Sequence, residues 1–290
     1  MENKIRFGPS GNSQIFYEEG NKKSLEAPAW LKSKGLSAYE YSFGRGFTMS
    51  AETAQEIGRE AVKNDILVSV HAPYYINFAN PSDEMAEKSY GYVLRGLEYV
   101  EWFQGQKICV HLATQGKMSR EEALELTRKR LEILLEKAYD KFDMSRLLIC
   151  PETMGKYSQI GNVKEIVDFC TLDKCLVPTF DFGHINCLMQ GGLKTEDDFK
   201  QIWDYTIEKL GYERAKNAHI HFSKIEYSDK GEIKHLNFDD MFYGPEFAPL
   251  ASVLHEYKLT PSIISESADN MAQDAMEMQR IYNSILLGKM

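Results

Sequence analysis

Six short apolar runs in this chain of 290 residues end on, or next to, a side chain that binds metals. They deliver His71, His111, Glu152, Asp181, His219 and Glu266. His184 follows in "FDFGH", and His235 lies in the loop after the run that carries His219. Imidazoles mixed with carboxylates suit Zn2+ or Mn2+, whereas an all-oxygen set would suit Mg2+ or Ca2+. A carboxylate placed directly after an apolar strand is costly to bury unpaired, so Glu152 and Asp181 each require a cation nearby. One such residue alone reads as a salt bridge; six at equivalent positions read as a metal centre. His221, in "HIHFS", shares strand parity with His219. His219 is read as the ligand and His221 as a packing neighbour. His255, in "SVLHEYK", reads as a helix residue without a site role.

The elements that must position these groups alternate regularly. Strand patterns run Lys4–Gly8, Ala38–Phe43, Ile66–His71, Lys107–His111, Arg146–Glu152, Cys175–Asp181, Ala218–Phe222 and Thr260–Glu266. Helical patterns with apolar residues every three or four positions separate them. In "SREEALELTRKRLEILLEKAYDKF", Ser119 and Glu122 have the form of a capping box. "TEDDFKQIWDYTIEKLG" opens on Thr195 with acids in its first turn and closes at Gly211. Eight β-α units without a Gly-rich phosphate loop predict an α/β fold, a closed (β/α)8 TIM barrel, with a doubly wound sheet as the alternative. No linker, charge block or repeat divides the chain, so residues 1–290 are expected to form one domain.

Composition narrows the class. Apolar residues make up 43% of the chain, enough for a sizeable core, and no stretch is long enough to span a membrane. The opening "MENKIRFGPS" has no apolar leader segment, and the five cysteines form no CxxC pair. A cytoplasmic, monomeric protein with reduced thiols is expected. The net charge of -9 argues against non-specific nucleic-acid binding. Bound divalent cations inside a cleft would reverse the local sign.

Several segments resemble the endonuclease IV family. "HAPYYINFAN" is similar to its H-x-x-Y-x-I-N segment, "PETMGKYSQIGN" to its E-[TN]-x-G-x-x-S-x-[IL]-G segment, and "FDFGH" to its D-x-x-H. "HIHFSKIEYSDKGEIKHL" resembles the seventh-strand region of archaeal-type members, and Glu266 in "ISES" matches the eighth-strand glutamate. The resemblance implies a zinc-dependent apurinic/apyrimidinic endonuclease with two or three zinc ions, acting on duplex DNA at abasic sites. It assigns His71, His111 and Glu152 to one zinc, and Glu152 with Asp181, His219 and Glu266 to a second. His184 and His235 would hold a third. Glu152 would be catalytic as the bridge between metals, and Tyr74, Asn77 and Arg45 would contact DNA. The usual aspartate two residues before His235 is Ile233 here, so Glu232, or second Asp229, is expected to supply the missing carboxylate. The family's usual H-P-G is "HLATQG", and "FGRGFTM" lacks the long basic insertion of many members. The alternative is a sugar isomerase or ketose 3-epimerase of the same barrel type. It would hold one metal on Glu152, Asp181, His219 and Glu266 and would have no need of His71 and His111.

Overall fold

The computed structural model describes residues 4–44 and 46–288, so Arg45 lies outside the described residues. Eight short parallel strands carry the fold. They are β1 (Arg6–Pro9), β2 (Ala38–Ser42), β3 (Leu67–His71) and β4 (Lys107–Val110), then β5 (Leu148–Pro151), β6 (Thr179–Asp181), β7 (His219–Phe222) and β8 (Ser262–Ser265). One arc runs β2-β3-β4-β5 and the other β1-β8-β7-β6. Parallel bridges between Ser10 and Glu40, and between Glu152 and Thr179, join the arcs into a closed TIM barrel. The eight strand patterns of the sequence are the eight barrel strands, seven of them trimmed by one to four residues at their ends and the first shifted to end at Pro9 rather than Gly8.

Side chains alternate along each strand. Val68, Val70, Ile108, Ile149, Ile220 and Ile263 are buried in the apolar layer between sheet and helices. The intervening positions form a largely polar interior: Glu40, Ser69, His71, Lys107, Glu152, Asp181, His219, His221 and Ser262 are all buried. TIM barrels usually fill that space with branched apolar residues. Polar groups at this depth need internal partners, and they find them across the barrel. Lys107 Nζ on β4 donates to the carbonyl of Asn217 at 2.8 Å and to Ser262 Oγ on β8 at 3.1 Å. Where β1 passes β2, a Cβ at Gly8 would lie 1.8 Å from the Ala38 carbonyl oxygen, so only glycine fits.

The surrounding helices follow their sequence signals. In the Arg120–Lys141 helix, the Glu122 carboxylate accepts the Ser119 N–H at 2.8 Å and the Ser119 hydroxyl accepts the Glu122 N–H. Leu131, Leu134, Leu135 and Ala138 form its buried face, each leucine contributing about 1.5–3 kcal/mol by leaving water. The Glu196–Leu210 helix starts after Thr195 and stops at Gly211, whose φ is 81°. No helix among the described residues is long and apolar enough to cross a membrane.

The loops after the strands hold added structure. Ala113–Thr114 pairs with Gln159–Ile160, tying the β4 and β5 loops together. After β7 comes a hairpin of Lys224–Ser228 and Gly231–Leu236. His235, read from sequence as a loop residue, is on its second strand.

Candidate metal centre

Glu152, the residue after β5, is the hub. Its carboxylate has no exposure and is met from four sides by imidazoles. Oε2 lies 3.1 Å from His71 Nε2 and 2.9 Å from His111 Nε2. Oε1 lies 3.0 Å from His221 Nδ1 and 3.7 Å from His184 Nδ1. His71 ends β3 and His111 follows β4, so the parallel pairing of β3, β4 and β5 carries these distant residues to one point. On the other side, ligand atoms of Glu152, Asp181, His221 and Glu266 all lie within 4.8 Å of one another.

A third group adjoins these two. Asp181 caps the short helix that begins at Phe182, its Oδ1 accepting the His184 N–H at 2.8 Å. His184 then stands 5.4 Å from His235, ring centre to ring centre, with Glu232 Oε2 3.5 Å from His184 Nε2. Glu232 and His235 are three residues apart and would face opposite sides of a regular strand. The register shows why they do not: Glu226 pairs with Lys234 and Tyr227 with Glu232, so Ile233 is an extra, unpaired residue. This bulge turns both ligand types to one side and leaves Ile233 exposed. Glu232, rather than the exposed turn residue Asp229, is therefore the carboxylate at this corner. Gly155 of "ETMGK" makes room for it. A Cβ there would lie 2.8 Å from both Glu232 Cβ and His184 Cδ2, while the Gly155 carbonyl accepts the Glu232 N–H at 2.9 Å.

Oxygens behind the rings set their orientation. His71 Nδ1 is 2.8 Å from the Ala72 carbonyl, His184 Nδ1 2.9 Å from the Thr153 carbonyl, and His235 Nδ1 2.8 Å from Ser223 Oγ. A carbonyl only accepts, so it fixes the proton on the near nitrogen and leaves the other nitrogen's lone pair free for a ligand bond.

One sequence expectation is corrected here. His219 does not reach the centre. It shares parity with His221 but sits one step deeper, where its Nε2 contacts Glu40 Oε2 at 2.8 Å and its Nδ1 contacts Ser262 Oγ at 2.9 Å. His221, two residues nearer the open end of the barrel, takes the place expected of it. Asn77 has a turn role in the structure. Its Oδ1 accepts the N–H groups of Ala79 and Thr114, both at 3.1 Å, so it braces the loop that presents Tyr74. Tyr74 is 58% exposed with its ring 5.4 Å from His71 and 5.2 Å from His111, and Tyr75 beside it is 56% exposed. Three residues were missed in the sequence. Tyr75 stood in the quoted segment, Cys109 precedes His111 by two, and Glu40 interrupts the aromatic strand "AYEYSF". The Cys109 thiol donates to Glu152 Oε2 at 3.0 Å.

The charges call for a cation. Burial acts to raise the Glu152 pKa, but His221 and His111 hold it well below the usual carboxylate range. Burial pushes the Asp181 carboxyl up, His184 and His235 pull against it, and Glu266 and Glu152 add to the rise. Asp181 Oδ2 is buried without a hydrogen bond. A buried carboxylate oxygen without a hydrogen bond, 3.3 Å from His184 Nδ1 and close to two further carboxylates, fits a divalent metal.

His71 and His184 show what holds the charge without metal. Burial acts to lower both, but Glu152 in the first case and Asp181 in the second outweigh it, and each is pushed up to about 9. Both rings then carry a proton at neutral pH that a metal must displace. Affinity for a divalent metal is therefore expected to rise between pH 6 and pH 9, with protons released on binding in a weakly buffered titration at pH 7. The sign for stability follows. A histidine raised from 6.5 to about 9 stabilises the metal-free fold below 6.5 and ceases to as pH approaches 9. Stabilisation by the metal should thus grow over that window. A metal affinity independent of pH would contradict this balance of charge.

Comparison with known proteins places this geometry. A family model described as a xylose isomerase-like TIM barrel matches residues 28–282. The chain is 27% identical over 257 residues to an uncharacterized protein of Methanocaldococcus jannaschii, covering 88% of this chain and 90% of that one. It is 26% identical over 259 residues to a probable endonuclease 4 of Shouchella clausii, covering 84% and 85%. Among solved structures it is similar to endonuclease IV from Thermus thermophilus, with a TM-score of 0.66, 16% identity and coverage of 98% and 99%. It is also similar to a D-tagatose 3-epimerase-like protein, with a TM-score of 0.64, 19% identity and coverage of 88% and 90%. At such identities the structural likeness speaks for the fold alone.

Proposed function

The chain belongs to the xylose isomerase-like TIM barrel family, and from that footing we propose that it is a zinc-dependent phosphodiester hydrolase that incises duplex DNA 5′ to abasic sites. One observation carries the reading: Glu152 is shared between the His71–His111 pair and the Asp181–His221–Glu266 group. A barrel with a single metal needs only the second group. Two histidines converging on the far oxygen of the same carboxylate support a second ion, and the Glu232–His184–His235 corner supports a third.

In this reading His71, His111 and Glu152 hold one zinc, Glu152, Asp181, His221 and Glu266 another, and His184, His235 and Glu232 the last. Bound there, the ions would neutralise phosphate charge, lower the pKa of water and stabilise the leaving oxygen. The protein's own groups do the rest. Glu152, itself fully buried, keeps two cation positions close together. Tyr74 and Tyr75 stand exposed at the rim, where aromatic faces stack on an extruded nucleotide. The chain's net charge of -9 is met locally by the cations. A single copy supplies every group named, so a monomer is the proposed active form, with duplex DNA as its partner.

Zinc-loaded protein should cut a duplex carrying one abasic site on its 5′ side, leave a 3′-hydroxyl and lose activity on chelation. The second reading, a one-metal sugar epimerase, draws on the Glu152–Asp181–His221–Glu266 set. A metal-replete preparation that ignored the abasic duplex and epimerised a free ketose would establish that reading instead.

A further inference from the structure

Below Glu152 the barrel holds a carboxylate that none of these ligand groups uses. Glu40, on β2, has no exposure, and burial acts against its charge, yet His221 and His219 keep it well below the usual carboxylate range. Its Oε2 accepts from Ser69 Oγ and from His219 Nε2, both at 2.8 Å. Its Oε1 lies 2.8 Å from His221 Nε2. We propose that Glu40 is a positioning residue for the metal centre, holding the Nε2 side of His221 so that Nδ1 is presented to Glu152, Asp181 and Glu266. The inference rests on the reading of His221 as a metal ligand.

The argument is one of valence. A neutral imidazole has one N–H and one lone pair, so a ring that gives its Nδ1 lone pair to a metal must carry its proton on Nε2. That proton needs an acceptor. Neither His221 Nε2 nor Glu40 Oε1 makes an aligned hydrogen bond to any group among the described residues, and the 2.8 Å contact between them is the one that a proton on Nε2 can use. His71, His184 and His235 rest on neutral oxygens, whereas His221 rests on a carboxylate. An ionised acceptor binds the N–H more strongly and makes the ligating nitrogen more basic.

Glu40 is itself held from below. Lys107 Nζ donates to Ser262 Oγ at 3.1 Å, and Ser262 Oγ lies 2.9 Å from His219 Nδ1. With Nδ1 accepting from that hydroxyl, His219 has its N–H on Nε2, aimed at Glu40 Oε2. Ser69 secures the same oxygen. The His219 contact to Oε2 suffices to fix the rotamer, and Oε1 is left for His221.

The test uses the full chain and zinc alone. Wild type, Glu40→Gln and Ser69→Ala are checked for folding by circular dichroism, and zinc affinity is read by competition with a chromophoric chelator. Total zinc at saturation is measured by elemental analysis, and the Co2+-substituted protein gives a visible spectrum that reports ligand geometry. Glu40→Gln should weaken one zinc by about 10–100-fold, alter the Co2+ spectrum and leave the saturated zinc content unchanged. Ser69→Ala, which leaves Oε1 in place, should stay near wild type. Should Glu40→Gln fail to fold, Glu40→Asp takes its place, with a smaller weakening expected and unchanged affinity counting against the proposal. Equal affinity of Glu40→Gln and wild type would overturn it, as would equal weakening by Ser69→Ala, which would indicate a loosened core. Loss of a whole zinc equivalent from Glu40→Gln would overturn it too, by making Glu40, His219 and His221 a metal site of their own. Zinc-free wild type would bring down the functional reading itself, whereas zinc binding untouched by Glu40→Gln removes only this inference.

Discussion

Glu152→Gln is expected to abolish incision of the abasic duplex while leaving the barrel folded. The substitution keeps shape and removes the charge that faces His71, His111, His221 and His184 at 2.9 to 3.7 Å. Losing one aligned donor in an active site costs about 10²–10³ in rate. Glu152 does more than one such group, because both of its oxygens are committed, each to a different proposed ion. A loss of at least about 10³-fold at matched zinc follows. The metal-free variant should also melt lower, since breaking a buried ion pair costs about 3–5 kcal/mol. Gel-based cleavage of an abasic duplex and a thermal melt provide the two readings. Activity within tenfold of wild type would remove Glu152 from the mechanism.

Two neighbouring histidines should behave as opposites. His221→Asn is expected to lose one zinc per chain and reduce incision by about 10²-fold or more. His219→Asn should keep the zinc complement and lose stability instead, because Glu40 and Ser262 each give up a buried partner at 2.8 and 2.9 Å. That cost is about 1–3 kcal/mol. Elemental analysis and melting temperature separate the two, and a zinc loss confined to His219→Asn would reverse the assignment.

That pair also marks where the sequence stops being readable. All eight strands were visible because buried parallel strands leave short apolar runs between amphipathic helices, and period alone locates them. Period also tells which face a residue takes. It does not tell depth, and His219 and His221 share a face. Only the stagger of β7 against β6 and β8, where His221 pairs with Asp181 and Ile264, fixes which of them meets the carboxylates. Glu40 had a weaker signal. A lone acid inside "AYEYSF" needs a partner, but its partners are 29 to 181 residues away along the chain and no local pattern names them. Asn77 lay within a recognisable segment, and its side-chain oxygen accepts from two loop amides, a turn role that its residue type already allowed.

The bulge at Ile233 bears on how proteins of this kind can be found and compared. Ligand pairs on strands are usually sought by fixed intervals, and a two-residue interval before His235 lands on an exposed isoleucine. Measured in pleats rather than residues, the interval is conventional, because the surplus residue is absorbed outside the ladder. A pattern search that counts letters would score this corner as broken, whereas one that counts ladder rungs would find it whole. Such a hairpin can gain a residue and keep its chemistry, so the spelling of a site and its geometry are free to drift apart.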